Sequence, residues 1–145
     1  MSRILLLEDD LSLINGLTFT FKKQGHEADI ARTLDEAEKI WSDGKYDLLI
    51  LDVSLPDGSG FDFCKMVRQV SRVPIIFLTA SDEETSIIMG LDMGGDDYIT
   101  KPFKLGVLIS RINALLRRVK DFGTADTELQ SNGIRVLLLQ GQVYK

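Results

Sequence analysis

The chain has 145 residues, a length that fits about one globular domain. Its composition of 44% hydrophobic and 27% charged residues is ordinary for such a domain, and its net charge of −5 argues against a nucleic-acid surface. The single cysteine, Cys64, excludes an internal disulfide bond and fits a reducing compartment. The first residues are too few for a signal peptide or a membrane span, so we expect a cytoplasmic protein that contacts no membrane.

Five short apolar runs alternate with longer stretches of helical period. The first, third and fourth runs are continuously apolar, as strands covered on both faces should be, and the other two are weaker, as edge strands would be. The runs occupy residues 4–7, 28–31, 48–51, 75–78 and 98–99. His26, which follows Gly25 in a predicted turn before the second run, is expected to be a surface residue rather than a metal ligand.

The stretches between the runs carry apolar residues at helical spacing and begin with residues that cap helices. Asp10 and Thr33 are predicted to be the N-caps of the first two helices, and Ser81 with Asp82 is predicted to cap the fourth. The last stretch, residues 105–116, has the longest apolar stripe. Repeated alternation of strand and helix predicts a parallel sheet with helices on both faces.

The character of the sequence changes after Lys120. Residues 1–120 form the predicted α/β domain, and residues 121–127 are polar, contain Gly123 and are typical of a linker. Residues 134–139 and 143–144 then read as two strands joined by a turn, but so short a hairpin is not a stable domain. We therefore predict that residues 128–145 begin a second domain.

Side chains suited to metal and phosphate chemistry follow four of the apolar runs. Glu8 and Asp9 follow the first run, Asp52 the third, Thr79 the fourth and Lys101 the fifth. In a parallel sheet all of them meet at the carboxyl edge, where open α/β folds bind ligands. Taken singly, each has an ordinary explanation, such as an acid at a helix start or a solvated lysine, but the joint spacing favours one shared site.

Clustered carboxylates repel each other and need a cation. Mg²⁺ is often held by one or two carboxylates together with water and phosphate oxygens, so Asp9 and Asp52 are the predicted ligands, with Glu8 acting through water. An Asp52 carboxylate oxygen can also attack a phosphoryl phosphorus and form an acyl phosphate. The hydroxyl of Thr79 and the ammonium of Lys101 then suit the phosphoryl oxygens.

The motifs that carry these residues closely resemble those of receiver domains of two-component response regulators. The resemblance covers residues 3–118, and the last motif with the segment after it is similar to winged-helix regulators of the OmpR/PhoB type. Residues 128–145 resemble the opening of the DNA-binding domain of that subfamily. The motifs are Leu7-Glu8-Asp9-Asp10, Leu51-Asp52 followed by Leu55-Pro56-Asp57-Gly58, Leu78-Thr79-Ala80, and Gly95-Asp96-Asp97-Tyr98-Ile99-Thr100-Lys101-Pro102-Phe103.

The resemblance implies a flavodoxin-like (βα)5 fold, which is a three-layer sandwich around a parallel sheet of order 2-1-3-4-5. It implies that Asp52 accepts a phosphoryl group from a sensor histidine kinase. It also implies that Mg²⁺ is bound by Asp9, Asp52 and the backbone carbonyl of Ser54, with Glu8 in support. Self-phosphorylation and slow autodephosphorylation would then be the only catalysis.

The resemblance further implies how the signal leaves the domain. Thr79 and Lys101 would contact the phosphoryl group, Thr79 and Tyr98 would act as the switch, and only the C-terminal domain would bind DNA. The fourth helix, fifth strand and fifth helix would form a homodimer face. Relatives commonly carry a charged pair where this chain has Ile87 and Val107, so we expect a more apolar face with a weaker salt dependence. That face comprises Ile87, Ile88, Leu91, Asp96, Asp97, Val107, Ile109, Arg111 and Arg118.

Two other functions stay open on the sequence alone. A Mg²⁺-dependent phosphatase with an aspartyl nucleophile would use similar carboxylates, but such enzymes typically carry Asp-x-Asp after the first strand and a cap segment. This sequence has Glu8-Asp9-Asp10 and no cap segment. A nucleotide- or flavin-binding module would share the topology, but no Gly-rich phosphate loop follows Leu7.

Overall fold

The computed structural model describes residues 2–80, 92 and 94–129, with side chains described up to residue 118. The chain divides into two compact units, Met1–Leu108 and Ile109–Lys145. The predicted fourth helix with its cap at Ser81 and Asp82 lies outside the described residues, as does the predicted hairpin after residue 133.

The first unit contains a parallel sheet of five strands in the order β2-β1-β3-β6-β7. This order confirms the predicted 2-1-3-4-5 arrangement, because β6 and β7 are the fourth and fifth strands of the sheet along the chain. A small antiparallel hairpin, β4 with β5, follows β3. The strands are β1 Ser2–Leu7, β2 His26–Ala31, β3 Leu48–Asp52, β4 Ser54–Leu55, β5 Gly58–Ser59, β6 Ile75–Thr79 and β7 Asp97–Thr100.

The first two helices begin at the predicted caps. Asp10 accepts hydrogen bonds from the amides of Ser12 and Leu13, and Thr33 accepts one from the amide of Glu36. These contacts satisfy amide groups that have no partner within the first turn of a helix. The helices are α1 Leu11–Lys23, α2 Leu34–Ile40, α3 Gly60–Arg68 and α4 Leu105–Leu129.

The helix α4 is longer than the sequence suggested. It continues to Leu129, so residues 121–127 are helical rather than an irregular connection. A polar composition does not prevent a helix when no proline interrupts it, and Gly123 costs only about 1 kcal/mol relative to alanine. The division into a domain, a linker and a second domain stays a prediction. No described helix has the length and apolarity needed to cross a bilayer.

The core lies around the three central strands, as their apolar sequences predict. Every residue of β3 and β6 is buried, and so is β1 from Ile4 onward. Cys64 is also buried, and its burial raises the pKa of the thiol to about 11, as expected for a cysteine that packs as a small core residue.

The prediction that His26 is a surface residue was wrong. It begins β2 rather than ending a turn, and it is half-buried with both ring nitrogens shielded from solvent and without a hydrogen-bond partner.

Candidate functional site

The carboxyl ends of the strands bring the predicted site residues to one edge. Leu7 at the end of β1 pairs with Leu51 of β3, so Glu8 and Asp52 follow at the same level. Asp52 is the last residue of β3 and Thr79 is the last residue of β6, so both lie inside their strands rather than just after them. Lys101 follows β7, and its amide donates a hydrogen bond to the carbonyl of Thr79.

Three carboxylates form a compact cluster at this edge. Glu8, Asp9 and Asp52 each place a carboxylate oxygen within 4.8 Å of the others. Glu8 is fully buried, Asp52 is 4% exposed and Asp9 is half-buried. So many carboxylate oxygens in a small, shielded volume fit a hard divalent cation such as Mg²⁺. The hydroxyl of Thr79, which is 3% exposed, is buried at the same edge.

The ammonium of Lys101 lies between two of these acids. Its Nζ is 2.9 Å from Oε1 of Glu8 and 3.3 Å from Oδ2 of Asp52. Burial alone would lower the pKa of Lys101, but its bonds to Glu8 and the charge of Asp52 outweigh burial and raise that pKa. Lys101 therefore stays charged at neutral pH. The Lys101–Pro102 peptide bond is cis.

Glu8 points into the protein rather than into solvent. Its Oε2 accepts hydrogen bonds from the amides of Asp9 and Asp10, each 3.1 Å long. Burial, followed by the neighbouring Asp52 carboxyl group, raises the pKa of Glu8 despite the opposing effect of Lys101. Three carboxyl groups thus share one ammonium, so the cluster holds more acidic groups than Lys101 can neutralise.

The loop after Asp52 is arranged around its carboxylate. The amide of Ser54 donates a hydrogen bond of 3.2 Å to Oδ1 of Asp52. The amide of Gly60 donates to the carbonyl of Val53, which closes the loop at the start of α3. Oδ2 of Asp52 faces Lys101, so the two carboxylate oxygens have different partners. The role of the Ser54 carbonyl as a metal ligand stays a prediction.

Tyr98 lies beside the core rather than in the acidic cluster. It is half-buried in β7, and its ring is tilted against Phe77 with centroids 6.4 Å apart. This contact accounts for the position of Tyr98 as packing of the edge strand, and its role as a switch stays a prediction.

The residues predicted for a dimer face are not described as one surface. Val107 is 44% exposed, whereas Asp96 accepts hydrogen bonds from Arg68 and from the amide of Ile75 within its own chain. The dimer face therefore stays a prediction. Ile87, Ile88 and Leu91 lie outside the described residues, Asp97 is half-buried in β7, and Ile109, Arg111 and Arg118 belong to the second unit.

Two side chains near the acidic cluster were not found by sequence reasoning. Nη2 of Arg32 donates a hydrogen bond of 3.2 Å to the carbonyl of Asp9. Asp57 accepts hydrogen bonds from the amides of Leu34 and Asp35, and these bonds lower its pKa. The Pro56-Asp57-Gly58 triplet indicates a turn, but nothing in the sequence indicates which amides Asp57 would bind.

Comparisons with known proteins agree with this geometry. A family model described as the response regulator receiver domain matches residues 4–113. The transcriptional regulatory protein YclJ of Bacillus subtilis is 41% identical over 123 residues, which are 85% of this chain and 54% of YclJ. The chain thus spans about half the length of such curated relatives.

Solved structures with the same fold include relatives of the expected subfamily. A two-component response regulator from Clostridium difficile superimposes with a TM-score of 0.78 at 35% identity, covering 82% of this chain and 98% of that one. DrrB of Thermotoga maritima, an OmpR/PhoB homologue, gives a TM-score of 0.74 at 28% identity, covering 81% of this chain and 54% of DrrB.

The chain belongs to the response regulator receiver domain family. The relatives that it matches include transcriptional regulators and sensory transduction proteins. Membership of a signalling family favours the phosphoacceptor hypothesis over the phosphatase and flavin-binding alternatives.

Proposed function

We propose that this receiver-family chain accepts a phosphoryl group on Asp52 from a sensor histidine kinase, in a Mg²⁺-dependent reaction. The observation that carries the proposal is the placement of the Lys101 ammonium 2.9 Å from Glu8 and 3.3 Å from Asp52 beside the three-carboxylate cluster. This arrangement combines a nucleophilic carboxylate, ligands for a divalent cation and a fixed positive charge for a phosphate.

The phosphoryl transfer uses the carboxylate of Asp52 as the nucleophile, with Lys101 and Thr79 as the groups that bind the phosphoryl oxygens. A carboxylate oxygen of Asp52 attacks the phosphorus, the bond from phosphorus to the donor imidazole nitrogen breaks, and an acyl phosphate forms. The imidazole leaves with the bonding electron pair and takes up a proton. Lys101 and the hydroxyl of Thr79 bind the phosphoryl oxygens, and so replace contacts that Lys101 otherwise makes with the acids.

Mg²⁺ would be held by Asp9, Asp52 and the carbonyl of Ser54, with Glu8 supporting through its position behind them. When bound, the cation offsets the repulsion between the acids and the phosphoryl group during transfer. The buried, raised-pKa carboxyl of Glu8 supports this assignment, because a cation relieves the negative charge that burial disfavours.

Phosphorylation adds a charge of about −1.5 to −2 at the end of β3. Thr79 and Lys101 then gain a ligand that exists in only one state, and each charge-assisted bond contributes roughly 1.5–3 kcal/mol. Reversing a 1:99 equilibrium takes about 5.5 kcal/mol, which two such bonds supply near the top of this range and three supply near its middle. Tyr98 responds to the new state, and the homodimer and the DNA-binding domain of the full-length cytoplasmic protein deliver the output.

The proposal is tested by incubating the protein with acetyl phosphate and Mg²⁺ and measuring the intact mass. The wild type should gain one phosphoryl group, and chelation of Mg²⁺ should prevent the gain. Asp52→Asn should not be labelled, because its amide is not a nucleophile for phosphorus.

The control is Asp62→Asn, which makes the same chemical change at an exposed acid of α3. It should be labelled like the wild type. Unchanged labelling of Asp52→Asn would refute the assignment of the acceptor, and rapid multiple turnover of phosphomonoesters would instead indicate a phosphatase.

A further inference from the structure

Two loops adjoin the acids of the site, and both are hydrogen-bonded to the start of α2. The loop after β1 carries Asp9, whose carbonyl accepts a hydrogen bond from the guanidinium of Arg32. The other loop follows Asp52, the last residue of β3, and its tip residue Asp57 accepts hydrogen bonds of 2.8 and 3.1 Å from the amides of Leu34 and Asp35. We call these three hydrogen bonds the α2 anchor.

The turn that carries the α2 anchor is itself fixed. Oε1 of Glu36 accepts a hydrogen bond of 2.8 Å from the amide of Arg32, and the amide of Glu36 donates to Oγ1 of Thr33. These reciprocal contacts resemble a capping box, which holds the backbone at the start of a helix. The turn therefore offers both loops a rigid point of attachment.

The tip of the second loop is connected tightly to the acceptor residue. Ser54 pairs with Ser59 and Leu55 pairs with Gly58 in the hairpin that Asp57 closes. The amide of Ser54 binds Oδ1 of Asp52, so a shift of the hairpin changes a contact of the acceptor carboxylate.

The tip also packs directly on α2. A Cβ atom at Gly58, whose φ is +151°, would lie 2.6 Å from Cδ1 of Leu34. The hairpin and the start of α2 are thus in close contact as well as hydrogen-bonded.

We propose that Arg32 and Asp57 are positioning residues for the divalent-cation site, because the α2 anchor sets the distance between the loops of Asp9 and Asp52. Neither side chain contacts the cation in this account. Each holds the backbone of one ligand-bearing loop against the same turn. The inference rests on the proposed function in assuming that the acidic cluster binds a divalent cation.

At Arg32, the loss of charge and the loss of positioning should change the Kd for a divalent cation in opposite directions, so the measurement distinguishes them. Mn²⁺, which prefers the same oxygen ligands as Mg²⁺, is titrated into the 145-residue chain while free Mn²⁺ is followed by electron paramagnetic resonance. Removing a positive charge near acids should by itself tighten cation binding. We expect Arg32→Ala instead to raise the Kd roughly three- to tenfold, less than the loss of a group bonded directly to a metal-binding side chain, because Arg32 bonds the backbone of Asp9. Arg72→Ala, at an exposed arginine before β6, is the charge-matched control.

Asp57→Ala is the second variant, with Asp62→Ala as its control. Both remove one exposed carboxylate, and Asp62 lies on α3 just after the same loop. We expect Asp57→Ala to raise the Kd roughly three- to tenfold and Asp62→Ala to leave it within about twofold. The double variant Arg32→Ala/Asp57→Ala should raise the Kd by less than the product of the two single effects, because either change already frees one loop from the shared turn.

The outcomes distinguish an effect on the cation site from a general loss of stability and from a failure of the proposed phosphoacceptor function. Circular dichroism and the Tm of each variant are measured alongside the Kd. A lowered Tm with a wild-type Kd, or tighter binding by Arg32→Ala, overturns the proposal. A wild type that binds Mn²⁺ without becoming phosphorylated overturns the phosphoacceptor function, and the Kd values still decide on the α2 anchor. A wild type that binds no Mn²⁺ overturns both.

Discussion

Arg68 at the amino edge of the sheet and Lys101 at its carboxyl edge are both largely shielded basic side chains, but their surroundings differ in kind. The guanidinium of Arg68 donates five hydrogen bonds, four of them to the carbonyls of Ser71, Val73 and Gly94 and one to Asp96. Lys101 instead faces two buried acids of a three-acid cluster.

The difference separates a structural cation from a functional one. Backbone carbonyls are neutral and fixed, so Arg68 has one stable arrangement that joins the end of α3 to the segment before β7. The acids around Lys101 carry an excess of negative charge, so they can exchange Lys101 for another cation or accept a proton. This contrast in charge is why we propose that the function lies at the carboxyl edge.

The largest effect on stability should come from removing the guanidinium of Arg68 at the amino edge of the sheet. Arg68→Met removes five hydrogen bonds, one of them the ion pair with Asp96, so we expect the free energy of unfolding to fall by about 3 kcal/mol in urea denaturation. Arg72→Met, at an exposed neighbour, should change it by no more than about 0.5 kcal/mol. A loss below 1 kcal/mol for Arg68→Met would mean that the hydrogen bonds at this edge add little to stability.

A smaller effect on stability is expected at the carboxyl edge of the sheet, where Gly60 lies against the backbone of Asp52. A Cβ atom there would overlap the carbonyl oxygen of Asp52, and backbone cannot move aside as a side chain can. Gly60→Ala should therefore lower the free energy of unfolding by about 2 kcal/mol. It should also slow phosphorylation by acetyl phosphate, because the end of β3 must shift.

Gly16→Ala is the matched control for that substitution. Gly16 lies within α1, and a Cβ atom there would meet nothing within 4 Å. The control should gain about 0.5–1 kcal/mol, because alanine restricts the unfolded chain in a helix that it fits. If both glycine variants had the same free energy of unfolding, the close contact between Gly60 and Asp52 would make no measurable difference to stability.

The two edges of the sheet also differ in how far their contacts could be predicted from the sequence. Strand ends and helix caps are local patterns, so the caps at Asp10 and Thr33 were predicted, as was the meeting of Glu8, Asp9, Asp52 and Lys101. The strand order came from the resemblance to receiver domains rather than from any local pattern. Arg68 looks like any basic residue in the last turn of a helix, because its partner Gly94 lies 26 residues away.

The same reason accounts for the other omissions. Asp57 binds amides 22 and 23 residues earlier in the chain, and Arg32 binds a carbonyl 23 residues earlier. Side-chain bonds to distant backbone leave no periodicity in the sequence, since any amide or carbonyl can serve. The length of α4 was missed because a polar segment with one glycine is compatible with both a linker and a helix.

The smallest effect is the pH dependence of stability that Glu8 contributes. It tests most directly whether the acidic cluster has more acid than Lys101 can balance. A carboxyl group whose pKa is raised by folding adds stability at low pH, and that stability is lost as pH rises from the ordinary glutamate value of 4.5 through the folded value. Without divalent cations, Glu8→Gln should therefore become more stable relative to the wild type between pH 4.5 and pH 8, by on the order of 1 kcal/mol.

Urea denaturation of both proteins across this pH range measures the difference, and it cancels the titration of the acids that do not interact with Glu8. Adding Mg²⁺ should shrink the difference at pH 8, because the cation then neutralises the carboxylates that Glu8 crowds. A constant difference between the proteins at all pH values would mean that Lys101 alone balances Glu8. The carboxyl edge would then be as fully satisfied as the amino edge, and its charges would give no reason to bind a second cation.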